Sequence, residues 1–162
     1  MKNASLLVSI VDFEPRYAQA FHDINLQWLE EMFEPEPLDL EILRHPIRSV
    51  IEPGGHIMIA LLDGEPVGAG ALKRVAPGVF ELTKMGVLPQ AQGHKIGSRL
   101  LAALVDKAKQ LQASELYLLS SWSCEAAIHL YERFGFVHDE RIMKEYGVNY
   151  QRCEVAMSYP LE

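Results

Sequence analysis

The stretch Val87-Leu-Pro-Gln-Ala-Gln-Gly-His-Lys-Ile-Gly-Ser-Arg-Leu-Leu101 joins an apolar strand to an amphipathic helix through a glycine-bearing turn. From Ile96 onward, Ile96, Leu100, Leu101, Leu104, Val105, Ala108 and Leu111 recur at the three-and-four spacing of one buried helical face. A helix therefore starts near Ile96. Its first-turn N–H groups have no intrahelical acceptors, and Gly93 and Gly97 lack side chains that would keep an anion from them. Such a helix start binds phosphate. His94, Lys95 and Arg99 add cationic or hydrogen-bonding groups, a placement that opposes the helix dipole unless an anion is present.

Two common phosphate fingerprints fail here. Gly93-x-x-x-Gly97-Ser fits neither G-x-G-x-x-G nor G-x-x-x-x-G-K-[ST]. The segment instead resembles the acetyl-CoA loop of the GNAT superfamily, the general-control-related N-acetyltransferases. The family pattern Q/R-x-x-G-x-G/A reads here as Gln92-Gly-His-Lys95-Ile-Gly97, with a matching Val87-x-Pro89 lead-in and Leu100-Leu101 follow-on. Lys95 departs from it. A left-handed backbone would cost a lysine about 1 kcal/mol, which favours an ordinary helical conformation at this position. Further along, Cys124-Glu-Ala-Ala-Ile-His-Leu-Tyr-Glu-Arg-Phe-Gly-Phe136 resembles the family's N-x-x-A-x-x-L-Y-x-x-x-G-F signature. The two motifs stand in the family's order, and the resemblance is read as covering the whole chain.

At 162 residues the chain has the length of one ordinary domain, and residues 1–162 are expected to form a single unit. With 49% hydrophobic and 23% charged residues it belongs among folded, water-soluble chains. A net charge of −7 without a basic stripe argues against nucleic acid as a partner. The two cysteines, Cys124 and Cys153, have neither the spacing nor the company of a metal site or disulfide framework; they read as reduced, and the location as cytoplasmic. No apolar run is long enough for a secretory signal or a membrane span.

In chain order, Leu6 to Val11 reads as a strand, and Tyr17, Phe21, Ile24, Trp28 and Met32 mark a helical stripe that ends before Glu34-Pro-Glu-Pro37. A second helix is expected from about Asp39 towards Val50, bent at Pro46 and closed by Pro53-Gly-Gly55. Glu30, Glu31, Glu34, Glu36, Asp39 and Glu41 have no basic residue among them. Such a run ordinarily solvates a surface, and its alternative reading is an acceptor site favouring a cationic amine. Strands follow at His56–Leu62, Val67–Val75 and Val79–Leu88, the first two joined by an Asp63-Gly64 hairpin turn. After the loop helix come a strand at Leu116–Ser120, a helix at Cys124–Phe134 ended by Gly135, and a last strand at Arg152–Tyr159. The strand–helix–strand unit around the loop implies a parallel pair. The fold class is α/β: a mixed six- to seven-stranded sheet flanked by about four helices, consistent with a GNAT fold.

The resemblance implies acetyl-CoA as cosubstrate, an amine as acceptor and no metal. It implies that Tyr131 points at the CoA sulfur and protonates the leaving thiolate, as a phenol of pKa about 10 can for a thiolate of about 8.5. Histone-acetylating relatives place a catalytic glutamate at the strand position of Glu81. A carboxylate between Phe80 and Leu82 suits a base of raised pKa, and its alternative is a surface glutamate paired with Lys84, Lys73 or Arg74. Backbone N–H groups near Met85, Gly86 and Val87 would stabilise the oxyanion, and the pantetheine arm would lie along them. Gly86 suits a bulge or a close backbone approach there, or serves packing alone. The backbone of Gln92, Gly93, His94, Lys95, Ile96, Gly97 and Ser98 would hold the pyrophosphate. Cys124 takes the place of a cofactor-contacting asparagine, and its thiol at a helix start also admits an acyl-cysteine step. Trp122 is read as packing at a strand end, with an acceptor-pocket role as the alternative.

The leading expectation is direct acetyl transfer from acetyl-CoA to an amine of a small molecule or protein, in a ternary complex. The alternative is an acyl-CoA-binding sensor or scaffold without turnover, motivated by Lys95 and Cys124. A nucleotide-binding domain is a third reading, weakened by the failed fingerprints. Homodimers are frequent in the resembled family, so a second copy is a candidate partner.

Overall fold

The computed structural model describes residues 7–161. Seven strands form one sheet in the order β1-β2-β3-β4-β5-β7-β6: β1 (Val8–Asp12), β2 (His56–Leu62), β3 (Glu65–Ala76), β4 (Val79–Val87), β5 (Glu115–Ser120), β6 (Val137–His138) and β7 (Val155–Ser158). Every pairing is antiparallel except β4 with β5, the parallel pair expected from the strand–helix–strand unit. Asp63 and Gly64, both at positive φ, turn β2 into β3 as the Asp-Gly pair predicts. The first strand's Leu6 lies outside the described residues.

Five α-helices accompany the sheet among the described residues: α1 (Ala18–Met32), α2 (Pro37–Arg44), α3 (Ile96–Gln110), α4 (Glu125–Phe134) and α5 (Glu140–Tyr146). The α3 stripe foreseen from periodicity is buried from Ile96 to Ala108 and packs with Phe80, Leu82, Leu118 and Met157 of the sheet. On the opposite face α1 and α2 bury Phe21, Leu29, Ile42 and Leu43 against Ile57, Ile59, Ala69 and Ala71. The predicted second helix is two pieces. It stops at Arg44, and Pro46 starts a separate π-helical turn, Ile47–Ile51, because proline offers no N–H to continue the ladder. The last strand is shorter than expected, since Arg152–Glu154 form a turn and a loop before β7 begins at Val155. Helix α5 carries one buried side chain, Ile142, and is started by Asp139, whose carboxylate accepts from the N–H groups of Arg141 and Ile142.

Two irregularities shape the sheet centre. Strands β4 and β5 pair only from Val79–Glu115 to Leu82–Leu118, whereas β4 runs on to Val87 and β5 to Ser120. The two strands therefore part company in mid-sheet. Just beyond Leu82, Thr83 and Gly86 of β4 face Ala71 and Ala69 of β3, so β4 carries one residue more than its partner, with Lys84 at φ 51°. The bulge lies at Lys84, not at Gly86.

Candidate active site

A cleft of about 310 Å³ opens where β4 and β5 separate. Its walls are β4 from Glu81 to Val87, β5 from Leu118 onward, the start of α4, the C-terminal end of α1 and the Tyr150–Cys153 segment. Glu81, Tyr131, Met85, Gly86, Val87, Gln92 and Cys124 all line it. Residues far apart in sequence thus share one cavity.

Glu81 is 4% exposed, and its carboxylate makes no ion pair or hydrogen bond among the described residues. The alternative, a surface glutamate paired with Lys84, Lys73 or Arg74, does not hold. Burial raises its carboxyl above the ordinary carboxylate range, against the opposing pull of Lys84, Lys73 and Arg152. Tyr131, on the buried stripe of α4, is raised by burial and by the neighbouring Cys124, so it keeps its phenolic proton throughout the neutral range. Cys124 is the N-cap of α4, and the Ile128 N–H bonds to its carbonyl.

Gly86 serves close approach. A Cβ there would stand 2.4 Å from Cδ1 of Trp28, whose indole N–H donates to Asn25 Oδ1 at 2.8 Å while Asn25 donates to the Phe21 carbonyl. An indole is thereby fixed over the β4 backbone at the cleft wall. Trp122, by contrast, is 58% exposed, stacks on His138 and does not line the cleft; the tryptophan that does is Trp28.

The loop from Gln92 to Ser98 offers its backbone. Gly93 has φ 97° and Lys95 φ 59°, so Lys95 takes the left-handed conformation that its side chain disfavours, and the helical expectation is overturned. Gln92, Gly93, Lys95 and Ser98 are exposed and His94 is half-buried. Ile96 sends its side chain into the core at 2% exposure, leaving only its N–H to the loop surface. Gly97 leaves room for Leu130 of α4, 3.5 Å from where its Cβ would be.

One cluster escaped the sequence reading. Asp39, fully buried, accepts from Arg152 through both oxygens at 2.7 and 2.8 Å and from Lys84 at 2.8 Å, and its Oδ2 also takes the Glu36 N–H at 2.8 Å. Burial pushes the Asp39 carboxyl up, but the hydrogen bonds and charges of Arg152 and Lys84 outweigh that and hold it at about 2. Burial pushes Lys84 down, opposed chiefly by Asp39. Lys84 also reaches Tyr150 Oη and Thr83 Oγ1, each at 3.3 Å. The acidic run therefore divides: Glu30, Glu31, Glu34 and Glu41 are exposed, whereas Glu36 and Asp39 turn inward to these cations. A lysine inside an otherwise apolar strand, Leu82-Thr-Lys-Met85, was the available signal. Its partner Asp39 lay on another element, beyond the reach of spacing.

Among the described residues no helix is long and apolar enough to cross a membrane, and no three His, Cys, Asp or Glu side chains are grouped to hold a metal ion.

This sheet, splayed at its parallel pair beside a glycine loop and helix start, is the architecture of an acyltransferase class. Residues 18–136 match the acetyltransferase (GNAT) family, and the chain belongs to it. It is 28% identical over 109 residues to the uncharacterized N-acetyltransferase YjgM of Escherichia coli K12, a match covering 65% of this chain and 64% of that protein. The chain thus spans somewhat less than two thirds of that relative. The fold is shared with a GNAT-family acetyltransferase from Staphylococcus aureus (TM-score 0.86, 18% identity, 96% and 100% of the two chains). It is shared also with N-acetylglutamate synthase from Neisseria gonorrhoeae complexed with coenzyme A and N-acetyl-glutamate (TM-score 0.70, 25% identity, 99% of this chain and 36% of that one).

Proposed function

We propose that the chain is an acetyl-CoA-dependent N-acetyltransferase working by direct attack of an amine on the thioester in a ternary complex. The observation that carries this reading is the meeting of Glu81 and Tyr131 in one cleft at the parting of β4 and β5. In this reading the Gln92–Ser98 backbone receives the pyrophosphate, and the pantetheine arm extends β4 along Met85–Val87. Glu81, with its raised carboxyl, removes the amine proton. N–H groups of the bulged strand face the oxyanion, and Tyr131 delivers its proton to the departing thiolate beside Cys124. The coenzyme A seen in the N. gonorrhoeae relative supports the choice of cosubstrate. The retention of Tyr131, which lines the cleft, supports turnover over a sensor role.

A thiol-release assay with acetyl-CoA and a panel of amines tests this. The expected result is turnover that falls in Glu81→Gln and Tyr131→Phe. Acetyl-CoA binding without turnover would favour the sensor, and absence of CoA binding would overturn both.

A further inference from the structure

The acceptor end of the cleft has a charge arrangement of its own. Asp39 does not form part of the wall, but the two cations it holds, Lys84 and Arg152, do. The other charged side chains of the wall are Glu81 and Glu125, the latter exposed at the start of α4. Arg152 is rigidly presented: its guanidinium lies 5.0 Å from the Phe33 ring and 4.6 Å from the Tyr150 ring, while Asp39 and Glu36 grip its Nη atoms. Three of its five N–H bonds are committed in this way, and Nε–H and one Nη2 hydrogen have no hydrogen-bond partner among the described residues. Trp28, Met32 and Phe33 form an apolar wall beside them.

On the acetyltransferase reading above, we propose that Arg152, backed by Lys84, anchors a carboxylate carried by the acceptor close to its reacting amine, so that the substrates are amino acids rather than polyamines. A planar guanidinium with two free donors suits an oxyanion, and the buried Asp39 behind it fixes the fork in place without presenting negative charge to the cleft. The exposed glutamates that would attract a polyamine, Glu30, Glu31 and Glu34, do not line the cleft.

The test uses the intact protein, acetyl-CoA and acceptors in matched pairs: each amino acid against its amide and its decarboxylated amine, with α-aminophosphonates and spermidine as further arms. The acid of a preferred pair is expected to exceed its amide in kcat/KM by about 10- to 100-fold, the worth of a charge-assisted hydrogen bond. Phosphonates accepted alongside carboxylates would extend the anchor to oxyanions generally and support it. Arg152→Lys, which keeps a cation for Asp39 and so preserves folding, is expected to cut that acid-to-amide ratio by about tenfold, because a point charge replaces the fork. An amide equal to its acid, or preference for spermidine, would overturn the anchor while leaving the transferase standing. Turnover of no acceptor by protein that binds acetyl-CoA would overturn both.

Discussion

In the proposed mechanism Glu81 takes up a proton and Tyr131 gives one. Glu81 gains a proton at a pH above the ordinary carboxylate value because burial disfavours its charge, so its basic form is lost as pH falls through that raised value. The rate should therefore show an acidic limb above pH 4.5, and Glu81→Gln should abolish the limb and lower kcat about 100-fold or more; a pH–rate profile with saturating acceptor reads both. Tyr131→Phe should lower kcat with little change in the binding of acetyl-CoA, checked by calorimetric titration. Asp39 follows the reverse rule. Its folded value of about 2 lies below the ordinary 3.8, so its stabilising contribution, roughly 2 kcal/mol, is complete above about pH 4 and disappears as pH falls through 2. Asp39→Asn should cost about 3–5 kcal/mol at neutral pH, since it strips the counter-charge from buried Lys84 and Arg152. Urea denaturation of the variant measures this.

At the scale of elements, the loop and β4 hold local strain where the ligand is placed. Lys95→Gly removes the side-chain penalty of a left-handed backbone and should raise the unfolding free energy by up to about 1 kcal/mol. An unchanged denaturation midpoint would show that the conformation is not strained. Gly86→Ala sets a methyl 2.4 Å from the Trp28 ring and must displace that indole, which a change in tryptophan fluorescence would report. Helix α3, the Asp63-Gly64 hairpin and the strand feeding the loop were legible because each is written in local spacing or in a pair of turn residues. The bulge was not. It depends on register against β3, and a lysine rather than the neighbouring glycine takes the positive φ. Helix α5 also escaped, as one buried side chain in seven residues leaves no periodic stripe to read.

For the molecule as a whole, the sheet gathers a site from segments that sequence order keeps apart. Tyr131 is legible within the second of the two motifs, Gln92–Gly97 and Cys124–Phe136, and Glu81 through its place on the strand that leads into the first. The Asp39–Lys84–Arg152 cluster and Trp28 were not readable, because they come from α2, β4, the segment before β7 and α1 and meet only after folding. Even the acidic run was half misleading: Glu36 and Asp39 point inward, a difference between neighbours that composition does not encode. The most direct test of the central claim, that this cleft is where acyl transfer occurs, is a crystal structure of the protein with coenzyme A. Pyrophosphate is expected on the N–H groups of the Gln92–Ser98 loop, and the thiol at hydrogen-bond distance from the Tyr131 hydroxyl, about 3.5 Å. Coenzyme A bound elsewhere, or a thiol turned away from both Tyr131 and Glu81, would contradict it.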